Sequence, residues 1–406
     1  MSTSFSTTGP TTERTAASPA RDGVPHPLQS LDAEAATRQR YSDAARVREA
    51  SLCCPVDYDA RYLAAIPAEV IERDYGCGDP SRYVREGDTV LDLGSGGGKI
   101  GFIASQIVGP GGRVIGIDMN EEMLELARGA APAVATQIGH TNVEFRRGRI
   151  QDLALDVDRL DAWLAANPVK SVQDLARLDE ERARLCREEP LVASESVDLV
   201  VSNCVLNLVR EEDKDALIRE IFRVLKRGGR IAISDIVSDE AVPEELKRDP
   251  ELWSGCVSGA FQELDLLERF EAAGFHGLEI DQLSSAPFAV VDGIEFRSVT
   301  LTARKGKQGP CLEAGQAILY KGPWREVVDD DGHRFRRGVR TAVCAKTYRI
   351  MTSEPYAAQT LGIEPATAIP EAEQSVFDCM RSVSRDPRET KGAEYRVSQP
   401  ASGACC

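Results

Sequence analysis

The chain has 406 residues, with 49 basic and 65 acidic side chains and a formal charge of −16. That acidity excludes the basic face that nucleic-acid binding requires, and no apolar run approaches the ~18–20 residues of a membrane span. A hydrophobic content of 42% supports two or three domains with a sizeable core. The opening residues lack the charged and apolar regions of a secretion signal. Eleven cysteines, an odd number, point to thiol chemistry or metal binding, so a reduced, cytoplasmic protein is expected.

In chain order, residues 1–28 are rich in Ser, Thr, Pro and Ala and are predicted to be a disordered tail. Residues 29–88 carry Cys53, Cys54 and Cys77 and are expected to form a helical lid. Residues 89–306 alternate β-type runs with helical patterns. The predicted strands are Thr89–Leu93, Arg113–Asp118, Asn142–Phe145, Val197–Ser202, Arg230–Ile236, Leu278–Gln282 and Phe296–Ala303. Asn120, followed by Glu121 and Glu122, reads as a helix N-cap with acids suited to the dipole. Ile218, Ile221, Phe222 and Leu225 share a helix face that Gly228-Gly229 should stop. Repeated strand–helix units predict an α/β doubly wound sheet, mostly parallel, with an antiparallel strand at one edge. Residues 153–190 interrupt this rhythm as an insertion of two short helices split near Pro168. A small β-rich module is expected over 307–381, with β structure at Gln316–Val328 and His333–Tyr348 around the turn Asp329-Asp-Asp-Gly332. Residues 382–406 read as a flexible tail.

The first strand runs into Val90-Leu-Asp-Leu-Gly-Ser-Gly-Gly-Gly98. Glycines placed there let the backbone approach a ligand at the carboxyl edge of the sheet. Counted from Gly94, the dinucleotide fingerprint would need a glycine where Lys99 stands. The pattern present, G-x-G-x-G preceded by Asp92, resembles motif I of class I S-adenosylmethionine (SAM) methyltransferases. Asp92 suits the cationic amino group and sulfonium of SAM and would repel a pyrophosphate. Asp118 ends the second strand, where an acid can accept both ribose hydroxyls. Ile150 and Gln151 follow the third strand, where this fold presents residues to an adenine ring.

The cysteines bear on the acceptor. Cys204 follows the fourth strand and Cys256 lies in a loop after the fifth, so both leave the carboxyl edge. Zinc usually takes closely paired cysteines, and these separations are far wider. Cys186 and Cys379 read as packed small hydrophobes, and Cys344 fits either a β core or thiol exchange.

Tyr75-Gly-Cys-Gly78, Val90-Leu-Asp-Leu-Gly-Ser-Gly96, Gly116-Ile-Asp-Met119, Ser202-Asn-Cys-Val-Leu-Asn-Leu208 and Trp253-Ser-Gly-Cys256 together resemble the arsenite methyltransferase family. Ala317-Ile-Leu-Tyr-Lys-Gly322 and Ala342-Val-Cys344 resemble the tail domain of its longer microbial members. The resemblance implies SAM as co-substrate, with Tyr75, Asp92, Gly94, Ser95, Gly96, Asp118, Met119, Ile150, Gln151 and Asn203 around it. It implies Cys204 and Cys256 as core ligands of trivalent arsenic. Cys77 would be a third, mobile thiol able to join arsenic or form a disulfide with Cys53 or Cys54; Cys54 is taken as the fourth catalytic cysteine. Thioredoxin or glutathione would restore the thiols. The terminal pair Cys405-Cys406 either captures arsenic or is idle. Two alternatives stand beside this reading: a methyltransferase for a small organic acceptor, and a noncatalytic metalloid-binding protein.

Overall fold

The computed structural model describes residues 27–49, 56–379 and 384–391. Cys53, Cys54, Cys405 and Cys406 lie outside the described residues, as does the expected tail up to residue 26. Helices α1 (Pro27–Ala44), α2 (Ala60–Leu63) and α3 (Ala68–Glu72) lead to β1 (Thr89–Leu93). Then follow α4 (Lys99–Val108), β2 (Arg113–Asp118), α5 (Glu121–Ile138) and β3 (Val143–Arg147). The insertion forms α6 (Val157–Ala166) and α7 (Val172–Glu188), and β4 (Val197–Asn203), α8 (Lys214–Val224) and β5 (Leu225–Ser238) resume the alternation. Short helices α9 (Glu244–Lys247) and α10 (Pro250–Ser254) precede β6 (Phe261–Gln262), α11 (Glu263–Ala272), β7 (Phe275–Leu283), β8 (Ala289–Val291) and β9 (Ile294–Lys305).

The sheet order is β3-β2-β1-β4-β5-β9-β7, with β6 beside β5 and β8 beside β9. Strands β1 to β5 pair parallel, while β9 is antiparallel to both β5 and β7. The antiparallel strand therefore sits one place in from the edge. The central strands are apolar on both faces, as a sheet covered on both sides requires. Leu91, Leu93, Ile115 and Ile117 join one core with Ile218 and Ile221 of α8. Val90, Val114, Leu199 and Val201 face Ile100, Ala104 and Val108 of α4. Helix α5 starts where expected, with the Asn120 side chain accepting from the Met123 N–H. Helix α8 ends earlier than predicted, at Val224. Gly228-Gly229 instead fall in β5, in an irregular stretch between the Leu225 and Arg230 pairings, where Gly228 has φ +86°.

Beyond Lys305 lie β10 (Ala317–Tyr320), β11 (Glu326–Val328), β12 (Arg334–Arg336), β13 (Arg340–Ala342), α12 (Ala345–Met351), β14 (Thr360–Ile363) and α13 (Pro387–Lys391). They form an antiparallel sheet, β13-β10-β14, and a hairpin, β11-β12. The hairpin turns at Asp329–Gly332, closed by Gly332 N–H to the Asp329 carbonyl at 2.9 Å. Two expectations need correction. The second β stretch stops at Ala342, because Cys344 caps α12 through Thr347 N–H. Residues 384–391 are no loose tail: the Arg385 guanidinium bonds both Glu313 oxygens at 2.8 Å, and Thr390 is buried. This region meets the main sheet through Glu354, which pairs with Arg85 and Arg304, and through Tyr356, stacked on His276. Among the described residues no helix is long and apolar enough to cross a membrane.

Candidate active site

Register builds the site. Leu93 at the end of β1 lies level with Ile117 of β2 and Ser202 of β4, and Asn203 lies level with Ser234 of β5. The loops leaving these carboxyl ends therefore open on one edge, where ligands bind in such sheets. All ten residues expected around SAM line a single cleft there, together with Cys204. Thr37, Arg38 and Tyr41 of α1 form part of the wall.

Gly94 and Gly96 need positive φ, +64° and +50°. A Cβ on Gly94 would come within 2.4 Å of Val205, whereas at Gly96 it would meet nothing within 4 Å. The loop is thus pressed against the Cys204 loop on one side and open to the cleft on the other. Asp118 fixes the loop: its carboxylate accepts Gly96 N–H and Asn120 N–H, each at 2.8 Å. Burial raises its pKa, opposed by those backbone donors. Asp92 is 2% exposed, and its Oδ2 has no hydrogen-bond partner. Burial, with Asp74 and Asp118 nearby, lifts its pKa well above the carboxylate range. A buried carboxylate oxygen left without a donor is costly, and a cation in the cleft would answer it. Ser95 Oγ is likewise unpartnered. The glycine loop itself carries no arginine, so the acids at its two sides suit the cationic end of SAM, while Arg38, Arg73 and Arg149 line the wider cleft.

The cysteines lie at the same edge, walled by Ile236, Val257, Ala260 and Phe296. Cys77 and Cys204 are joined by a disulfide. Cys256 Sγ donates to the Cys204 carbonyl at 3.1 Å and contacts the Tyr41 hydroxyl at 3.7 Å. Cys204 and Cys256 both have left-handed backbones, φ +57° and +62°. Such conformations cost about 1–3 kcal/mol in residues other than glycine and gather at functional sites. The Cys77 pairing differs from the expected one with Cys53 or Cys54. The reason is Asn203, whose Oδ1 accepts Cys77 N–H at 3.0 Å and Gly78 N–H at 3.1 Å while its Nδ2 donates to the Gly78 carbonyl at 2.9 Å. These bonds pin the Cys77 loop over the end of β4. A Cβ on Gly76 or Gly78 would strike Asn203 or Ser234, which accounts for both glycines flanking Cys77.

Sequence reasoning missed several supports. Asp235 lies beneath the Cys204 loop, accepting Leu206 N–H at 2.9 Å, and burial pushes its pKa up to about 6. A carboxylate inside the apolar run of β5 was its signal. Asn207 donates to the carbonyls of Ile236 and Cys256, tying the two cysteine loops together. Asp74 pairs with the buried Lys99, which also rests 3.8 Å from the Tyr58 ring centre. Nothing local to Asp74 announced it.

The arsenite methyltransferase of Aquipseudomonas alcaligenes is 30% identical over 76% of this chain and 83% of its own length. The chain belongs to the arsenite methyltransferase family. The mouse arsenite methyltransferase is 29% identical over 86% of this chain and 87% of its own. The crystal structure of an arsenic(III) S-adenosylmethionine methyltransferase from Chlamydomonas reinhardtii matches with a TM-score of 0.52 and 27% identity, covering 80% of this chain and all of that one. A methyltransferase-domain model matches residues 85–190 and 179–274, and a model described as a domain of unknown function matches 307–395.

Proposed function

We propose that the protein methylates trivalent arsenic held by Cys77, Cys204 and Cys256, with SAM in the adjoining cleft. The observation that carries this reading is that Cys77, Cys204 and Cys256 share one buried cluster, the first two bonded and the Cys256 thiol on the Cys204 carbonyl, beside a cleft where Asp92 Oδ2 at the end of β1 has no hydrogen-bond partner. Asp92 would face the cationic end of SAM, Asp118 the ribose hydroxyls, and Met119, Ile150 and Gln151 the adenine. Bound there, SAM supplies an electrophilic methyl group on a sulfonium. Arsenic(III) is thiophilic, and three thiolates leave it pyramidal with a lone pair on the open side. That lone pair is the nucleophile, so the chain needs no general base, only positioning at about 3–3.5 Å. Apolar walls keep water from the thiolates.

Methyl transfer takes arsenic to the pentavalent state. As the Cys77 and Cys204 sulfurs join, their two As–S bonds break and two electrons return to arsenic. One small thiol takes their place with loss of its proton, a second exchanges the trivalent methylarsenical off Cys256, and a Cys77–Cys204 pair such as that in the structure remains. A thiol donor such as thioredoxin or glutathione would reopen the pair, and the reading therefore calls for a reducing, cytoplasmic compartment. The test incubates reduced protein with arsenite, thiol and methyl-labelled SAM. Labelled methylarsenicals are expected. Labelling of small organic acceptors with none on arsenic would overturn the reading.

A further inference from the structure

A second group of three thiols lies outside the active site. Cys311 follows β9, Cys344 caps α12, and Cys379 lies in the segment after β14; their sulfurs all lie within 4.8 Å of one another. None is in a disulfide. Cys344 is fully buried and the other two half-buried. Widely separated segments are held together by backbone bonds: Ala345 N–H to the Leu312 carbonyl at 2.9 Å, Phe377 N–H to the Cys311 carbonyl and Glu313 N–H to the Ser375 carbonyl, both at 2.8 Å. The Cys344 sulfur is further fixed by Thr347 N–H at 3.3 Å. Beside the thiols lies a cavity of about 120 Å³, lined by His333, Thr347 and Phe377. The cluster is therefore placed by the fold.

We propose that Cys311, Cys344 and Cys379 form a second, noncatalytic binding site for inorganic trivalent arsenic. The odd number of thiols is one more than a disulfide couple needs. Structural zinc takes four ligands, and among the described residues no histidine, aspartate, glutamate or further cysteine lies close enough to complete the group; His333 lines the neighbouring cavity without joining it. Arsenic(III) needs three. Its binding replaces three As–O bonds of arsenous acid with three As–S bonds, and the three thiol protons leave with the three hydroxides as water. No electron moves, and the product is neutral, which suits a half-buried site better than a net charge. A monomethylated arsenical has two exchangeable groups and a dimethylated one has one, so the site favours unmethylated arsenite.

The proposal rests on the reading that this chain handles trivalent arsenic, and one experiment separates the two. Full-length reduced protein is alkylated with isotope-coded maleimide, with and without arsenite, monomethylarsenite or zinc, and each cysteine is read by peptide mass spectrometry. The half-buried Cys311 and Cys379 are the reporters. Both should be protected by arsenite, more weakly by monomethylarsenite. In Cys344→Ser, protection of Cys311 and Cys379 should need roughly 10²-fold more arsenite, because one of three tethered ligands is gone. Protection of Cys256 but not of Cys311 and Cys379 overturns the second site and leaves the catalytic reading standing. Protection of Cys311 and Cys379 alone does the reverse. Protection by zinc in place of arsenite overturns the assignment of the ion.

Discussion

Replacing Asn203 by Ala should disable the Cys77 thiol without emptying the SAM cleft. The side chain is buried, accepts from the backbone of Cys77 and Gly78, and donates to the Gly78 carbonyl and the Tyr58 hydroxyl, at 2.9–3.3 Å. Truncation leaves two buried N–H donors unsatisfied, at about 1–3 kcal/mol each, or ~2–6 kcal/mol if the loop stays in place. A loop can escape that cost by opening to water, so the global loss should be nearer ~2 kcal/mol, with the Cys77 loop free of β4. The Gly78 carbonyl keeps its bond from Tyr58 at 3.0 Å, which limits the damage to the Cys77 side. Denaturant melts give the stability change, calorimetry the SAM affinity, and labelled-methyl assays the turnover on arsenite. Expected are a modest fall in stability, SAM affinity within about threefold and a severe loss of arsenite methylation. Wild-type turnover with wild-type stability would refute the claim that Asn203 positions Cys77.

Asp118→Ala should weaken SAM binding by the ~1.5–3 kcal/mol of a charged hydrogen bond while arsenite binding holds; calorimetry showing normal SAM affinity removes Asp118 from the site. Cys204→Ser or Cys256→Ser should abolish methylation of both arsenite and monomethylarsenite, whereas Cys77→Ser should spare single-turnover methyl transfer to monomethylarsenite, which needs only two thiolates to bind. Equal loss on both acceptors in the Cys77 variant would sink that division. His276 is buried, chiefly by which its pKa is lowered from 6.5 to about 4. With the folded value below the unfolded one, its contribution is complete above pH ~6.5 and is lost as the pH falls toward ~4, about 2 kcal/mol between pH 7 and pH 5. His276→Gln should flatten that slope in denaturation measured across the range, and an unchanged slope would refute the assignment.

What the sequence determined by itself were the features that are local and repetitive. Strand–helix alternation, the G-x-G-x-G loop after an apolar strand, the acid ending the second strand and the Asn120 cap all depend on neighbours within a few residues. Most appeared within two residues of where they were expected, but β5 begins five residues and β7 three residues before its expected start. Helix α8 and the stretch after Ala342 departed because tertiary pairing competed with local pattern. Leu225 pairs with Val197 across the sheet, and Cys344 spends its sulfur on a helix cap. Arg385 and Thr390 look polar and free in sequence, yet a guanidinium gripping Glu313 orders them. The cysteine groupings were decided by tertiary structure alone. Cys77 and Cys204 are 127 positions apart and meet through the side chain of Asn203. Cys311, Cys344 and Cys379 meet through backbone bonds between segments of no shared pattern. A thiol carries no periodicity and no register of its own, so its partners are set by which strands lie side by side, and that is fixed only when the whole sheet closes.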